Sequence, residues 1–123
     1  GACSGQTDAG ERAIVLDEEG EAVGFAVFSR VLDESCIHNI AVHPLRQNSG
    51  YGAVLLAALL QQLRKEGAAR CFLEVRVSNI PAHRLYEKFG FKPDGIRKDY
   101  YFTTQGREDA LVMSRSLIEG STV

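Results

Sequence analysis

Four groups of residues in this chain have types and spacing suited to chemistry. The turn Arg46-Gln47-Asn48-Ser49-Gly50-Tyr51-Gly52 follows the apolar run Ile40-Ala41-Val42 and opens a long aliphatic stretch. Glycines let a backbone approach a ligand closely. A helix starting there would aim unpaired N–H groups and the positive end of its dipole at an anion such as phosphate. The same glycines also suit a tight strand-to-helix turn that binds nothing. Glu74 stands in an apolar run over 71–77, where a carboxylate needs a reason. It is a base in a polar cleft, or half of a Glu74–Arg76 arrangement on a solvated patch. Tyr86 offers a phenol donor or plain helix packing. His83, one turn earlier, competes with Glu74 as a base or is simply solvated.

The elements that must position these groups follow from periodicity. Residues 12–16, 22–32 and 36–42 read as β-strands, with turns at Asp17-Glu18-Glu19-Gly20 and Asp33-Glu34-Ser35 and a stop at His43-Pro44. Over 52–65, apolar residues at Val54, Leu55, Ala58, Leu59 and Leu63 predict an amphipathic helix that ends at Gly67. Residues 71–77 form a fourth strand, with Cys71, Leu73, Val75 and Val77 on one face and Phe72, Glu74 and Arg76 on the other. Residues 81–89 form a second helix between an Asn79 N-cap and Gly90. Residues 91–93, 100–103 and 110–116 supply the remaining strands. The fold class is α/β (α+β): a mixed, mostly antiparallel sheet with a central parallel pair flanked by helices, in the order β-β-β-α-β-α-β-β.

Composition narrows the partners. At 123 residues the chain is one domain, and 45% hydrophobic and 24% charged residues are ordinary for a globular protein. Fourteen basic against sixteen acidic residues give a net charge of −2, so no nucleic-acid partner is expected. The aliphatic run over 53–60 is too short to span a bilayer, and no signal peptide is visible, so no membrane association is expected. Cys3, Cys36 and Cys71 form no C-x-x-C pair; a reducing, cytoplasmic setting is expected, with Cys36 and Cys71 as buried thiols. His38, His43 and His83 have no company of metal-ligand spacing, so no metal is expected. The chain opens on Gly and holds a single methionine, Met113, so its numbering starts after a cleaved, tagged or missing segment. Residues 1–11 read as a flexible segment, 12–118 as the folded domain and 119–123 as a tail.

Read together, these segments resemble a known family. Asn39-Ile40-Ala41-Val42-His43-Pro44 with Gln47-Asn48-Ser49-Gly50-Tyr51-Gly52 looks like the acetyl-CoA half of the GNAT superfamily of N-acetyltransferases. Leu73-Glu74-Val75-Arg76-Val77-Ser78-Asn79, then Ala82, Leu85-Tyr86-Glu87 and Gly90-Phe91, looks like its second half. Arg97-Lys98-Asp99-Tyr100-Tyr101-Phe102 and Gly106-Arg107-Glu108-Asp109-Ala110 are similar to the bacterial ribosomal-protein N-terminal alanine acetyltransferases. The likeness covers about residues 22 to 115. It implies a GNAT-like sheet and an acetyl-CoA co-substrate. Ile40, Ala41 and Val42 would offer backbone groups to the pantetheine arm, and Asn48, Ser49, Gly50, Tyr51, Gly52 and Ala53 would form the pyrophosphate loop. Asn79 would hydrogen-bond the cofactor arm, Glu74 would be the general base through water, and Tyr86 would protonate the departing thiolate. The chemistry suits such roles: an ammonium must lose a proton before it attacks, and a carboxylate near pKa 4.3 does this only when its surroundings raise it.

Two departures stand out. Asn48 and Ala53 occupy positions where the family often carries basic residues, leaving Arg46 as the nearby cation, so cofactor binding is expected to be weaker or more salt-tolerant. The strand and two helices with which the family begins have no counterpart here, so the acceptor wall is absent, belongs to a longer parent, or comes from another chain. An uncovered apolar face would favour a homo-oligomer, such as a dimer. The resemblance implies acetyl transfer to an amine, a protein N-terminus first and a small-molecule amine second, with Tyr100 and Tyr101 as acceptor contacts or an aromatic strand pair. The alternative classes are a non-catalytic acyl-CoA-binding module and a nucleotide-binding phosphate loop, though the latter lacks the Gly-Lys-Ser/Thr ending.

Overall fold

A computed structural model describes residues 10–118 apart from positions 48 and 105, with the side chains at 102 and 103 also left aside. The tail expected at 119–123, and most of the flexible segment expected at 1–11, lie outside the described residues. Six strands form one sheet in the order β1-β2-β3-β4-β6-β5. They are β1 (Glu11–Glu18), β2 (Glu21–Val31), β3 (Glu34–Val42), β4 (Arg70–Arg76), β5 (Lys92–Thr103) and β6 (Gly106–Ser116). Helix α1 (Tyr51–Glu66) joins β3 to β4, and α2 (Ile80–Lys88) joins β4 to β5. Only β3 and β4 run parallel, as a helical crossover between neighbouring strands requires.

Local chemistry explains most boundaries. Glu19 and Gly20 both take positive φ, 54° and 86°, which matches the right-handed twist of the β1–β2 hairpin. The second turn falls on Leu32 and Asp33 rather than on Asp33-Glu34-Ser35; Leu32 itself has φ 57°, and Glu34 and Ser35 already pair with Val31 and Arg30. Gly67 and Gly90 both sit in left-handed conformation after a helix. Each closes a Schellman motif, with Ala68 N donating to Leu63 O and Phe91 N to Tyr86 O at 3.1 and 3.0 Å.

The core lies between the sheet and the helices. Leu55, Leu56, Leu59, Leu60 and Leu63 of α1 are buried over Ala26, Phe28, Ile37 and Leu73. This corrects the expected apolar face: Val54 is half exposed and Ala58 is exposed, while Leu56 and Leu60 are buried in their place. Five leucines bury more area than a face shared with Val54 and Ala58, so the helix rotates to seat them. Residues 91–93 and 100–103 are not separate strands. They belong to one long β5, broken by two register shifts against β6, with Phe91 just ahead of it. Cys36 is disulfide-bonded, not the expected buried thiol, whereas Cys71 is free and buried. The sheet face opposite α1 carries an apolar hollow of about 500 Å³ bounded by Ala13, Val15, Phe25 and Ala41.

Candidate active site

The site begins where two strands part. The β3–β4 ladder runs from Glu34↔Arg70 to Ile37↔Leu73 and stops, although both strands continue. On β3 the next residue is His38, the extra residue of a bulge against β2, where Phe28 faces Ile37 and Val27 faces Asn39. Bulges bend and twist a strand, and this one falls where β3 leaves β4. The gap is a cleft of about 440 Å³ lined by Ile40, Val42, Gly52, Glu74, Asn79 and Tyr86, together with His38, Gln47, Arg76 and Tyr101.

Backbone alternation divides the three β3 candidates. His43 N donates to Val23 O on β2 at 2.7 Å, so the main-chain groups of Ala41, of the same parity, also face β2. Those of Ile40 and Val42 therefore face the opened edge. Gln47 Nε2 donates to Val42 O at 3.0 Å and ties the following loop to that edge. Ala41 is not at the cleft and borders the opposite hollow.

Helix α1 starts at the mouth. Gly50 takes φ 85° and ψ 2°, and no side chain caps the helix. The first intrahelical bond is Val54 N to Gly50 O, which leaves the N–H groups of Tyr51, Gly52 and Ala53 without a helical acceptor. Residue 48 lies outside the described residues; Ser49 and Gly50 are exposed beside the cleft. The nearby cation is already engaged: Arg46 Nε donates to one oxygen of Glu18 at 2.8 Å, and the Tyr51 hydroxyl donates to the other at 2.7 Å. The Tyr51 bond first and the Arg46 bond after it hold the Glu18 carboxyl below its usual range, and the bond to Glu18 pushes the Tyr51 phenol up.

Glu74 is the sheltered charge of the cleft, its side chain 12% exposed and paired with Arg97 of β5. The Tyr100 phenol is raised by burial first and then by its hydrogen bond to Glu74, and the Tyr101 hydroxyl lies 3.4 Å from the Glu74 carbonyl. The surface pair Glu74–Arg76 does not form. Arg76 instead meets Glu108 at 3.4 Å and lies over the Tyr101 ring. Tyr86 faces the cleft from α2, with its ring edge-on to Phe91 at 5.8 Å. Burial pushes its phenol up to about 12, so it stays protonated, and among the described residues its hydroxyl meets no hydrogen-bond partner. His83 bonds through Nε2 to Arg76 O at 3.0 Å and does not line the cleft. Asn79 caps α2 by accepting from Ala82 N at 3.3 Å, a bond that uses its oxygen and leaves the amide nitrogen out.

The sequence profile described as "Acetyltransferase (GNAT) family" matches residues 3–91. The chain belongs to the GNAT acetyltransferase family. It is 48% identical over 99 residues to the [Ribosomal protein bS18]-alanine N-acetyltransferase of Escherichia coli K12, covering 80% of this chain and 67% of that protein. It is 41% identical over 100 residues to the putative enzyme of that name from Bacillus subtilis, covering 81% and 65%. The crystal structure of the ribosomal-protein-S18-alanine N-acetyltransferase from E. coli superposes with a TM-score of 0.86 at 41% identity, over 95% of this chain and 76% of that one. The chain thus spans about two thirds of the length of the relatives it matches.

In this GNAT domain, six of the residues expected from sequence line one cleft: Ile40, Val42, Gly52, Glu74, Asn79 and Tyr86. Tyr51 and Ala53 sit in the first turn of α1 just outside. Sequence reading gave no role to Arg97 and set His38 aside. Arg97 of β5 reaches Glu74 of β4 across the one strand between them, β6, through a bulged β5–β6 register that no local pattern reveals. His38 read only as a histidine without metal-site company, and its place at the strand split depends on the bulge.

Proposed function

We propose that residues 12–118 transfer acetyl from acetyl-CoA to the N-terminal amine of a protein. The observation that carries this reading is the parting of β3 from β4, which sets open main-chain groups, Glu74 and Tyr86 around one cleft. Ile40 and Val42 would pair with the pantetheine amides, and an N–H there would hold the carbonyl oxygen as negative charge develops. The bare N–H groups of Tyr51, Gly52 and Ala53 at the start of α1, with Asn48, Ser49 and Gly50 ahead of them in sequence, would take the pyrophosphate without help from a basic side chain. Asn79 would donate its amide to the cofactor arm. Glu74, fixed by Arg97, would draw and hold the incoming ammonium while its proton leaves through water, and Tyr86 would donate to the sulfur as the C–S bond breaks.

The acceptor reading rests on the names of the relatives, and a ribosomal acceptor would place the enzyme in the cytoplasm. Thiol pools there would keep the Cys36 bond reduced. The apolar hollow behind β1–β3 supports a homo-oligomer, to be read as a mass above the monomer in light scattering. The deciding experiment follows CoA release from acetyl-CoA with a peptide carrying a free N-terminal alanine, its N-acetylated form, and a panel of small amines. Release that needs the free N-terminus and falls about a hundredfold or more in Glu74→Gln supports the proposal. Turnover with small amines alone would shift the acceptor class. Binding of acetyl-CoA without turnover would leave a non-catalytic binding module.

A further inference from the structure

The last parallel bridge between β3 and β4 is Ile37↔Leu73, and both of those side chains point into the core. The next residue on each strand is therefore the first across the opening and points to the other face: His38 on β3 and Glu74 on β4. Both line a small side chamber of about 150 Å³, shared with Tyr100 and Tyr101 of β5, and both also line the main cleft. His38 Nε2 lies 2.8 Å from the Oγ of Ser29 on β2, a residue only 8% exposed. Glu74 meanwhile is occupied by Arg97 and Tyr100. A carboxylate so engaged is well placed to attract a cation but poorly placed to carry a proton away.

We propose that His38 is the proton-relay residue of this acetyltransferase, taking the proton of the acceptor ammonium through water in the side chamber. The proposal rests on the acetyl-transfer reading above and divides its proton chemistry between two residues. The relay uses the tautomer in which Nε2–H donates to the Ser29 hydroxyl, which has lone pairs to accept it, and Nδ1 carries the free lone pair. An ammonium held by Glu74 passes one proton by water to that nitrogen, giving a free amine and an imidazolium beside the Glu74 carboxylate. The amine nitrogen then bonds to the acetyl carbon, the C–S bond breaks, and Tyr86 supplies the sulfur with a proton. The second N–H proton, shed as the amide forms, restores the Tyr86 hydroxyl, and the imidazolium returns the first proton to solvent. The groups that face His38 from neighbouring elements are Ser29, Glu74, Tyr100 and Tyr101, with Arg97 behind Glu74.

The test uses His38→Ala and His38→Gln, with CoA release measured against the alanyl peptide and acetyl-CoA affinity measured on the same preparations. Expected is a fall in kcat/KM for the peptide of about a hundredfold in both variants, with acetyl-CoA affinity kept within threefold. Free imidazole should restore rate to His38→Ala in proportion to its concentration, but not to His38→Gln, whose side chain fills the site. His38→Gln retains a partner for Ser29 but cannot carry a proton, so turnover within threefold of the parent in that variant overturns the relay. A loss in His38→Ala that imidazole leaves unchanged also overturns it. A parent that turns over while the variants match it sinks the relay alone; a parent with no amine-dependent release sinks both readings.

Discussion

Replacing Tyr86 by phenylalanine removes one oxygen from the cleft and leaves the ring in place on Phe91, so the cost in stability is expected to be small. The cost in rate is bounded by the acidity of the phenol. Burial raises it to about 12, whereas a free thiol sits near 8.5, so complete proton transfer to the thiolate would run uphill by about 5 kcal/mol. That route needs the phenolate to be refilled in the same event by the proton leaving nitrogen. The lower bound on the loss is a hydrogen bond to a developing charge, about 1.5–3 kcal/mol, or roughly 10- to 150-fold in rate. Steady-state CoA release is the assay, run from pH 7 to 10, where Tyr86 remains protonated throughout and the ratio of parent to variant should stay level. Substituting thioesters with more acidic leaving thiols should shrink the ratio, because a better leaving group needs less help. A Tyr86→Phe enzyme within twofold of the parent, or a ratio indifferent to the leaving group, would refute the reasoning.

Two further predictions concern the frame and the loop. Glu66, the last residue of α1, accepts from Arg12 at 2.6 and 2.8 Å, Gln62 at 2.7 Å and Arg30 at 3.2 Å, with the Arg12 bond foremost in bringing its carboxyl from 4.5 down to about 2. A folded pKa below the unfolded one means stability present above about pH 4.5 and lost as pH falls toward 2. Glu66→Gln should then cost about 1–2 kcal/mol at pH 7 by urea unfolding, after discounting for exposed partners, and the two proteins should converge near pH 2; an unchanged gap would contradict the assignment. Asn48→Arg should tighten acetyl-CoA binding about fivefold at low salt, with the gain fading at high salt, and equal affinities for the two proteins would remove the argument that the loop binds phosphate with too little positive charge.

What was legible in the sequence was local. The Glu19-Gly20 turn, the glycine stops of both helices and the Asn79 cap follow from neighbouring residues, and the alternation around Glu74 placed its carboxylate opposite the buried Leu73 and Val75. What was not legible depends on register. One extra residue at His38 redirects β3, and two shifts in β5 merge segments that read as separate strands and carry Arg97 to a partner 23 positions away. The α1 face shows a third limit. Both candidate stripes fit a helical period, and only the space above Phe28 and Ile37 selects the one with five leucines.

The cleft is costly to the fold and has to be held open. Where β3 leaves β4, Ile40 and Val42 forgo ladder bonds that a continued pairing would supply, each worth about 1 kcal/mol net. Two features oppose the closing of that seam. The His38 bulge turns β3 out of register with a flat continuation, and the start of α1 and α2 line the gap from either side, through Gly52 and Leu85. A β-carbon at Gly52 would stand 3.6 Å from Leu85 Cδ2, so the glycine leaves free the space that a side chain there would take from the cleft. The main-chain groups left over remain aligned as a strand edge, and a ligand with amides at strand spacing can recover the forgone bonds. Binding energy for such a ligand is therefore built into the backbone, and in the acetyl-transfer reading proposed above this would offset the small positive side-chain charge of the loop before α1.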